Sequence, residues 1–206
     1  MKNYKKPKKD FRVPAVLLLV LILIVYCAPK EAEAFDVSNW QRGALSNIKY
    51  DIAFKKHTST YLPRDFDWKL LKAQCFQESA FKEDAVSPVG AAGLCQFMPA
   101  TWGEQTKRAG VTGHPFNYDL NIQMAAQYMA RLVANWTAPR PRKDQFSLAL
   151  ASYNAGLGHI LNAQRQCDGA PLYNEIMICL PCVTGHHSIE TNQYVQRIWA
   201  FYWEQQ

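Results

Sequence analysis

Glu78 is the residue of this sequence best suited to transfer a proton. It falls at the end of a predicted amphipathic helix, close to Phe76 and Phe81, and a loop rich in glycine and alanine follows it. Apolar neighbours keep a carboxyl group protonated near neutral pH, and a protonated carboxyl is the acid that cleavage of a glycosidic bond requires. Small loop residues would let a substrate chain approach closely. Glu78 is therefore a candidate general acid.

The helix that carries Glu78 is predicted to begin near Asp67, whose side chain can accept a hydrogen bond from the first turn. Leu71, Cys75 and Glu78 then fall on one face of that helix. A second helix is expected over about residues 121–136, where apolar residues recur at the i, i+3, i+4 spacing.

Further helices are predicted along the rest of the chain. Thr101 is expected to begin a short helix that reaches about residue 106, and Asp144 to begin another over residues 146–152. Residues 189–203 show helical apolar spacing. No convincing run alternates apolar with polar residues, so the predicted fold class is all-α, with at most a small β hairpin.

The first 34 residues have the features of an export segment. They hold seven basic and three acidic residues, so most of the chain's net charge of +6 lies here. After the basic stretch, residues 13–28 are almost uninterruptedly apolar, a length between a signal-peptide core and a full membrane span. Ala32, Glu33 and Ala34 offer a small-x-small cleavage site. Cleavage and inner-membrane anchoring both remain open, and the predicted location is the periplasm.

The positions of the charged residues and the cysteines limit which partners, disulfides and metal sites can be expected. Outside the leader no basic face suits a phosphate backbone, so no nucleic-acid partner is expected. In an oxidising compartment at least one disulfide is predicted among Cys167, Cys179 and Cys182. The cysteines beyond Cys27 are odd in number, so at least one should lack an intramolecular partner. Cys179 and Cys182 precede two histidines, but no ordered second half-site follows, and neither a metal nor a cofactor is predicted.

Four blocks of the sequence resemble, in the same order, the catalytic domain of lytic transglycosylases of the soluble, Slt type. The first block spans residues 78–101 and contains ES-x-F, GA-x-GL-x-Q and MP-x-T. The others are NI with AA-x-YM at 121–132, ASYNAG at 151–156, and ET-x-x-YV-x-x-I at 190–198. The resemblance covers residues 65–203 and implies a lysozyme-like α-helical fold.

The resemblance implies that Glu78 is the only acid and base in cleavage of peptidoglycan glycan strands. Glu78 would protonate the oxygen between MurNAc and GlcNAc. It would then accept the proton of the MurNAc 6-hydroxyl as that group closes onto C1 to form a 1,6-anhydro sugar. The N-acetyl group of the substrate is expected to assist, so no second carboxylate is required. Glu83, Asp84 and Glu104 are accordingly interpreted as solvated loop charges.

The same resemblance implies a set of substrate-binding residues. Ser87 and Gln96 would line the sugar cleft, Tyr153 would position the acid or the substrate, and Met98 would form the apolar floor of a sugar subsite. Asn154 belongs to the same set, although its expected role is to fix the backbone of its own turn.

Three features lie outside these assignments. Tyr194, in the fourth block, is assigned equally to the cleft and to the core. Cys95 stands where the family often has methionine, which is expected to alter packing and little else. Residues 161–188, with their three cysteines, look like a disulfide-stapled insertion that shapes one end of the cleft.

The predicted organisation has three segments: the leader at 1–34, an arm at 35–64 that wraps the domain as a short helix or an extended stretch, and the catalytic domain at 65–206. Two other functions remain open. A goose-type lysozyme would share the fold but would need a second carboxylate to orient water. A non-catalytic peptidoglycan-binding component of a secretion, conjugation or phage infection apparatus would not need Glu78.

The predicted orientation of the leader can be tested with a reporter fused after Gln206. An enzyme that is active only in the periplasm should be active there, because the lysines before the apolar stretch keep the N-terminus in the cytoplasm. An enzyme that is active only in the cytoplasm, fused at the same position, is the control. Activity of the control in place of the periplasmic enzyme would reverse the orientation.

Overall fold

The structure, a computed structural model, describes residues 35–206, so the leader predicted at 1–34 lies outside the described residues. The described part is mainly helical, which confirms the all-α fold class. Its helices are α1 (Asn39–Leu45), α2 (Asp51–Tyr61), α3 (Trp68–Ser79), α4 (Pro99–Ala109), α5 (Tyr118–Asn135), α6 (Arg142–Ala155), α7 (Leu157–Gln166), α8 (Tyr173–Thr184) and α9 (His187–Trp203). Within residues 35–206 none of these helices is both long and apolar enough to cross a membrane.

Helix α3 lies in the centre of the core and begins where the sequence predicts. The Asp67 side chain accepts a hydrogen bond from the backbone N–H of Lys69 at 2.9 Å and so caps the helix. Leu71 and Cys75 are fully buried on the predicted face. Helices α2 and α9 both pack against α3. The buried Lys72 ammonium donates to Asp51 at 2.7 Å and thereby joins α3 to the start of α2.

Three helices begin earlier than predicted. Pro99 begins α4, because the fixed φ of proline suits the first position of a helix. Thr101, predicted to begin this helix, lies inside it. The Asn117 side chain accepts from the N–H of Leu120 at 3.0 Å and begins α5. Asp144 does not cap α6 but lies in its first turn.

The arm and the cysteine-rich segment are both helical. Residues 35–64 form α1 and α2, so the arm is not an extended stretch. Residues 161–188 include the end of α7 and all of α8, which the Cys167–Cys179 disulfide joins. The disulfide predicted in this segment is thus confirmed. No cysteine among residues 35–206 is a free thiol, so the expectation of one without an intramolecular partner is not confirmed.

A second disulfide joins Cys75 on α3 to Cys95 in the loop that follows it. Both residues are fully buried. The expectation that Cys95 would alter packing and little else is therefore wrong. The cross-link ties the central helix to the loop over residues 80–98, and the strand-like pairing of that loop is limited to isolated bridges from Ala92 to Val86 and Phe97.

The same loop is fixed against α5 through one amide and one glycine. The fully buried Asn121 accepts from the N–H of Cys95 at 2.9 Å and donates to the carbonyl of Pro115 at 2.8 Å. Gly93, whose φ is +79°, packs directly against the Asn121 side chain and the Pro115 carbonyl. A Cβ at Gly93 would come within 2.1 Å of the Pro115 oxygen, so only glycine fits there.

Substitution of Gly93 should therefore destabilise the fold. Gly93→Ala is expected to lower the free energy of unfolding by roughly 3 kcal/mol, because it combines a steric clash with left-handed backbone. Gly103→Ala is the matched control, since a Cβ at Gly103 in α4 meets nothing within 4 Å. The control should raise the free energy of unfolding by about 0.5–1 kcal/mol. Denaturant unfolding measures both, and equal effects of the two substitutions would contradict the packing described.

Candidate functional site

A cleft of about 490 Å³ opens at the C-terminal end of α3. The last turn of α3 forms its floor, the loop over residues 80–98 forms one wall, and α1 and α9 form the other. Glu78 lies on this floor, and apolar side chains that include Phe76 and Phe201 line the same cleft. Among the described residues that line the cleft, Glu78 is the only carboxylic acid.

The end of α3 exposes Glu78 to this cleft. The helix ends with Ala80 and Phe81 at φ values of +51° and +63°, which turn the chain away within two residues. The Ser79 hydroxyl donates to the carbonyl of Leu94 at 2.7 Å and holds the returning loop beside the helix end. The carboxyl is therefore placed by the helix and enclosed by the loop.

Burial controls the protonation of Glu78. The loss of water around the half-buried carboxyl raises its pKa from 4.5 to about 8. A hydrogen bond from Tyr194 acts in the opposite direction, and the negative charge of Glu190 raises the pKa further. Because burial outweighs the hydrogen bond, Glu78 is mainly protonated at neutral pH.

The partner of Glu78 is Tyr194 on α9. The Tyr194 hydroxyl donates to Glu78 Oε1 at 2.5 Å. Tyr194 is itself buried, and burial together with the Glu78 charge raises its pKa well above 10, so the hydroxyl remains a donor. The sequence alone did not decide whether Tyr194 belongs to the cleft or to the core. Its ring is buried in the core and its hydroxyl contacts the acid.

Ser87 and Gln96 both line the cleft, and both also stabilise its wall. The Ser87 hydroxyl accepts from the N–H of Ala91 at 2.9 Å. Gln96 has a φ of +50°, and its amide donates to the carbonyls of Ala85 and Gly93 at 3.1 and 2.8 Å. Their side chains are thus held by the loop at the edge of the cleft.

Tyr153, Asn154 and Met98 are placed differently. The Tyr153 hydroxyl donates to the Cys95 carbonyl at 2.9 Å, and no hydrogen bond joins it to Glu78 in the described structure. Burial, followed by the Glu78 charge, raises the pKa of Tyr153 well above 10. Asn154 accepts from the Thr191 hydroxyl at 2.8 Å and joins α6 to α9. Met98 is 43% exposed and lies outside the cleft lining.

Two of the other acids that the sequence singled out, Glu83 and Glu104, have structural partners. Glu83 accepts from the Lys49 ammonium at 2.7 Å and from the Tyr50 hydroxyl at 2.9 Å. The Lys49 hydrogen bond is the main reason that the pKa of Glu83 is lowered. Glu104 lies on α4 and pairs with Arg108 at 2.9 Å. The interpretation as solvated loop charges is therefore wrong for the paired, half-buried Glu83. Glu104 is solvent-exposed as expected but lies on a helix, and Asp84 is exposed in the loop.

This arrangement suits reversible proton transfer at one carboxyl. In its protonated form Glu78 can donate to an oxygen of a bound molecule. As a carboxylate it is stabilised by the Tyr194 hydroxyl and can accept a proton back. Residues 35–206 contain no cluster of three or more histidine, cysteine or acidic side chains arranged to hold a metal ion.

Sequence reasoning missed part of the cleft wall. Phe35, Trp40 and Gln41 from the arm and Arg197 from α9 all line the cleft that contains Glu78. The arm shows no strong periodicity, and only the presence of tryptophan in a short polar helix could have drawn attention to it.

Comparison with known proteins identifies the relatives of this chain. Residues 60–175 match the profile of the family described as the Transglycosylase SLT domain. The membrane-bound lytic murein transglycosylase F of Actinobacillus succinogenes is 33% identical over 117 residues, which cover 57% of this chain and 22% of the relative. The protein of that name from Vibrio campbellii is 32% identical over 137 residues, which cover 65% and 24%. This chain thus spans about a quarter of the length of these relatives.

Solved structures of similar fold have related names. The 70 kDa soluble lytic transglycosylase of Escherichia coli superposes with a TM-score of 0.62 at 24% identity, covering 77% of this chain and 24% of that one. The lytic transglycosylase Slt of Pseudomonas aeruginosa, solved as an inactive mutant with a glutamate replaced by glutamine, gives 0.60 at 27% identity, covering 75% and 23%. The lysozyme-like fold that the resemblance implied is confirmed.

Proposed function

This chain belongs to the Transglycosylase SLT domain family, and from that premise we propose that it is a peptidoglycan lytic transglycosylase with Glu78 as its catalytic acid and base. The observation that carries the proposal is one protonated carboxyl, with a pKa of about 8, on the floor of an open cleft. The substrate is the glycan strand of peptidoglycan, and the relatives named lytic murein transglycosylase support this assignment.

The reaction consists of two proton transfers, and both take place at the Glu78 carboxyl. Glu78 first gives its proton to the oxygen that links MurNAc C1 to GlcNAc, and the C1–oxygen bond breaks. The MurNAc 6-hydroxyl then forms a bond to C1, and its proton passes to the Glu78 carboxylate. The 1,6-anhydro product forms without consumption of water, and Glu78 is again protonated for the next cycle.

The single acid in the cleft favours this reaction over hydrolysis. A goose-type lysozyme would need a second carboxylate to orient an attacking water molecule. Glu83 and Asp84 are the acids that follow Glu78 in the sequence, but neither lines the cleft, and Lys49 and Tyr50 hold Glu83. Intramolecular attack by the 6-hydroxyl needs no such group, because the nucleophile belongs to the sugar itself. A purely binding component would have no use for a carboxyl with a pKa near 8.

We assign roles to the other predicted site residues on the same basis. Ser87 and Gln96 contact the sugar from the loop wall, where the cleft exposes them. Tyr194 positions Glu78 and stabilises its carboxylate form. Tyr153 acts indirectly, because its hydroxyl holds the Cys95 carbonyl within the loop. Met98, which is exposed beside the loop, extends the sugar-binding surface beyond the cleft.

The domain is proposed to act outside the cytoplasm, where peptidoglycan lies. The basic and apolar composition of residues 1–34 and the relatives named membrane-bound support export. The segment would hold the domain at the inner membrane if uncleaved, or release it into the periplasm if cleaved. A secretion, conjugation or phage apparatus that needs local wall opening could use the same activity.

The catalytic proposal predicts a specific loss in the Glu78→Gln variant. Glutamine keeps the size of the side chain but carries no proton to transfer. Turnover should fall by about 10⁴-fold or more, because one group serves both transfers. Mass analysis of products from purified peptidoglycan measures the reaction. The wild-type products should end in 1,6-anhydroMurNAc.

Glu104→Gln is the matched control, because it makes the same chemical change at an exposed ion pair outside the cleft. It should retain wild-type turnover. Products that end in reducing MurNAc would show hydrolysis and support the goose-type alternative. Wild-type turnover in Glu78→Gln would remove this residue from the mechanism. The variant should keep the wild-type melting temperature, because glutamine has the size of glutamate, and a collapsed melting transition would contradict that expectation.

A further inference from the structure

The wall of the cleft opposite the loop over residues 80–98 comes partly from a segment that the family match does not include. The match begins at residue 60. Phe35, Trp40 and Gln41 nevertheless line the cleft that contains Glu78. The arm therefore contributes surface to the site from outside the matched residues.

The added surface is held firmly against the domain. Phe35 packs edge-on against Phe201 of α9, with ring centroids 5.4 Å apart. Leu45 at the end of α1 is buried in the core. The Arg42 guanidinium donates to Glu204 at 2.8 Å, beyond the end of α9. These contacts fix α1 beside the cleft.

Trp40 is the exposed feature of this surface. Its side chain is 63% exposed, although burial of an indole ring would be strongly favourable. One part of the ring contacts Phe76 on the cleft floor, with centroids 6.2 Å apart. Gln77 and Arg197 line the same cleft and supply polar groups beside it. A flat apolar face next to hydrogen-bonding groups is typical of a ligand site.

The chemistry of this surface matches a saccharide ring. A pyranose presents C–H groups on its faces and hydroxyl and amide groups around its edge. The faces can cover an exposed indole and remove apolar area from water, while the edge is left for polar side chains. A glycan strand extends through several rings, so one bound at Glu78 must continue past one of the cleft walls.

We propose that Trp40 forms an additional saccharide subsite, which stacks on a ring of the glycan strand next to the ring pair held at Glu78. This inference rests on the proposed function for the identity of the strand. The subsite increases the affinity for long strands and takes no part in proton transfer.

The test measures binding without cleavage. Glu78→Gln provides the parent, and Trp40→Ala and Trp203→Ala are added to it separately. Trp203 is the matched control, since it is 58% exposed on α9 and does not line the cleft. Sedimentation with insoluble peptidoglycan gives the affinity. Trp40→Ala should weaken binding roughly 3- to 10-fold, Trp203→Ala should leave it unchanged, and Trp40→Phe should restore part of the loss.

Several results would overturn the subsite. These are unchanged binding by Trp40→Ala, an equal loss in Trp203→Ala, a loss that accompanies a lower melting temperature, or no binding by the parent. The experiment also separates this inference from the proposed function. If the wild-type protein makes no anhydro product but Trp40→Ala still weakens binding selectively, the subsite stands and the catalytic proposal fails.

Discussion

The partial burial of the Glu78 carboxyl at the floor of the cleft is the constraint on which the rest of the site depends. Burial disfavours the carboxylate and raises the pKa to about 8. Without a partner for its carboxylate form, such a group would hold its proton too tightly to donate it readily. The Tyr194 hydroxyl, 2.5 Å away, stabilises the carboxylate and so limits the shift. The opposition of these two effects holds the pKa close to neutral pH, where a group that must both give and take a proton works best.

The fold maintains this balance by fixing three elements around one helix end. Helix α9 brings Tyr194 onto α3. The Cys75–Cys95 disulfide and the hydrogen bond from Ser79 to Leu94 attach the loop to the same helix. Asn121 holds that loop from the other side through the N–H of Cys95. Loosening of the loop contacts would admit water to the carboxyl and lower its pKa, whereas loss of the Tyr194 hydroxyl would raise it.

Periodicity and capping chemistry are local signals, so the sequence predicts α3 and α5 well and places Glu78 at a helix end. Helices that begin at a proline or at an early cap, as at Pro99 and Asn117, start a few residues before the predicted positions. The contacts that complete the site are not local. Tyr194 lies 116 residues from Glu78, and Cys75 lies 20 residues from Cys95. Such pairings follow from how helices pack, which spacing along the chain does not encode.

The central claim is that Glu78 is protonated at neutral pH because it is buried. An NMR titration of carboxyl carbons labelled with ¹³C, with the Glu78 resonance assigned by its loss in the glutamine variant, tests this directly. The account predicts a midpoint near pH 8. It also predicts a higher midpoint in Tyr194→Phe, because that change removes the hydrogen bond that favours the carboxylate. A midpoint near 4.5 in the folded wild-type protein would contradict the account.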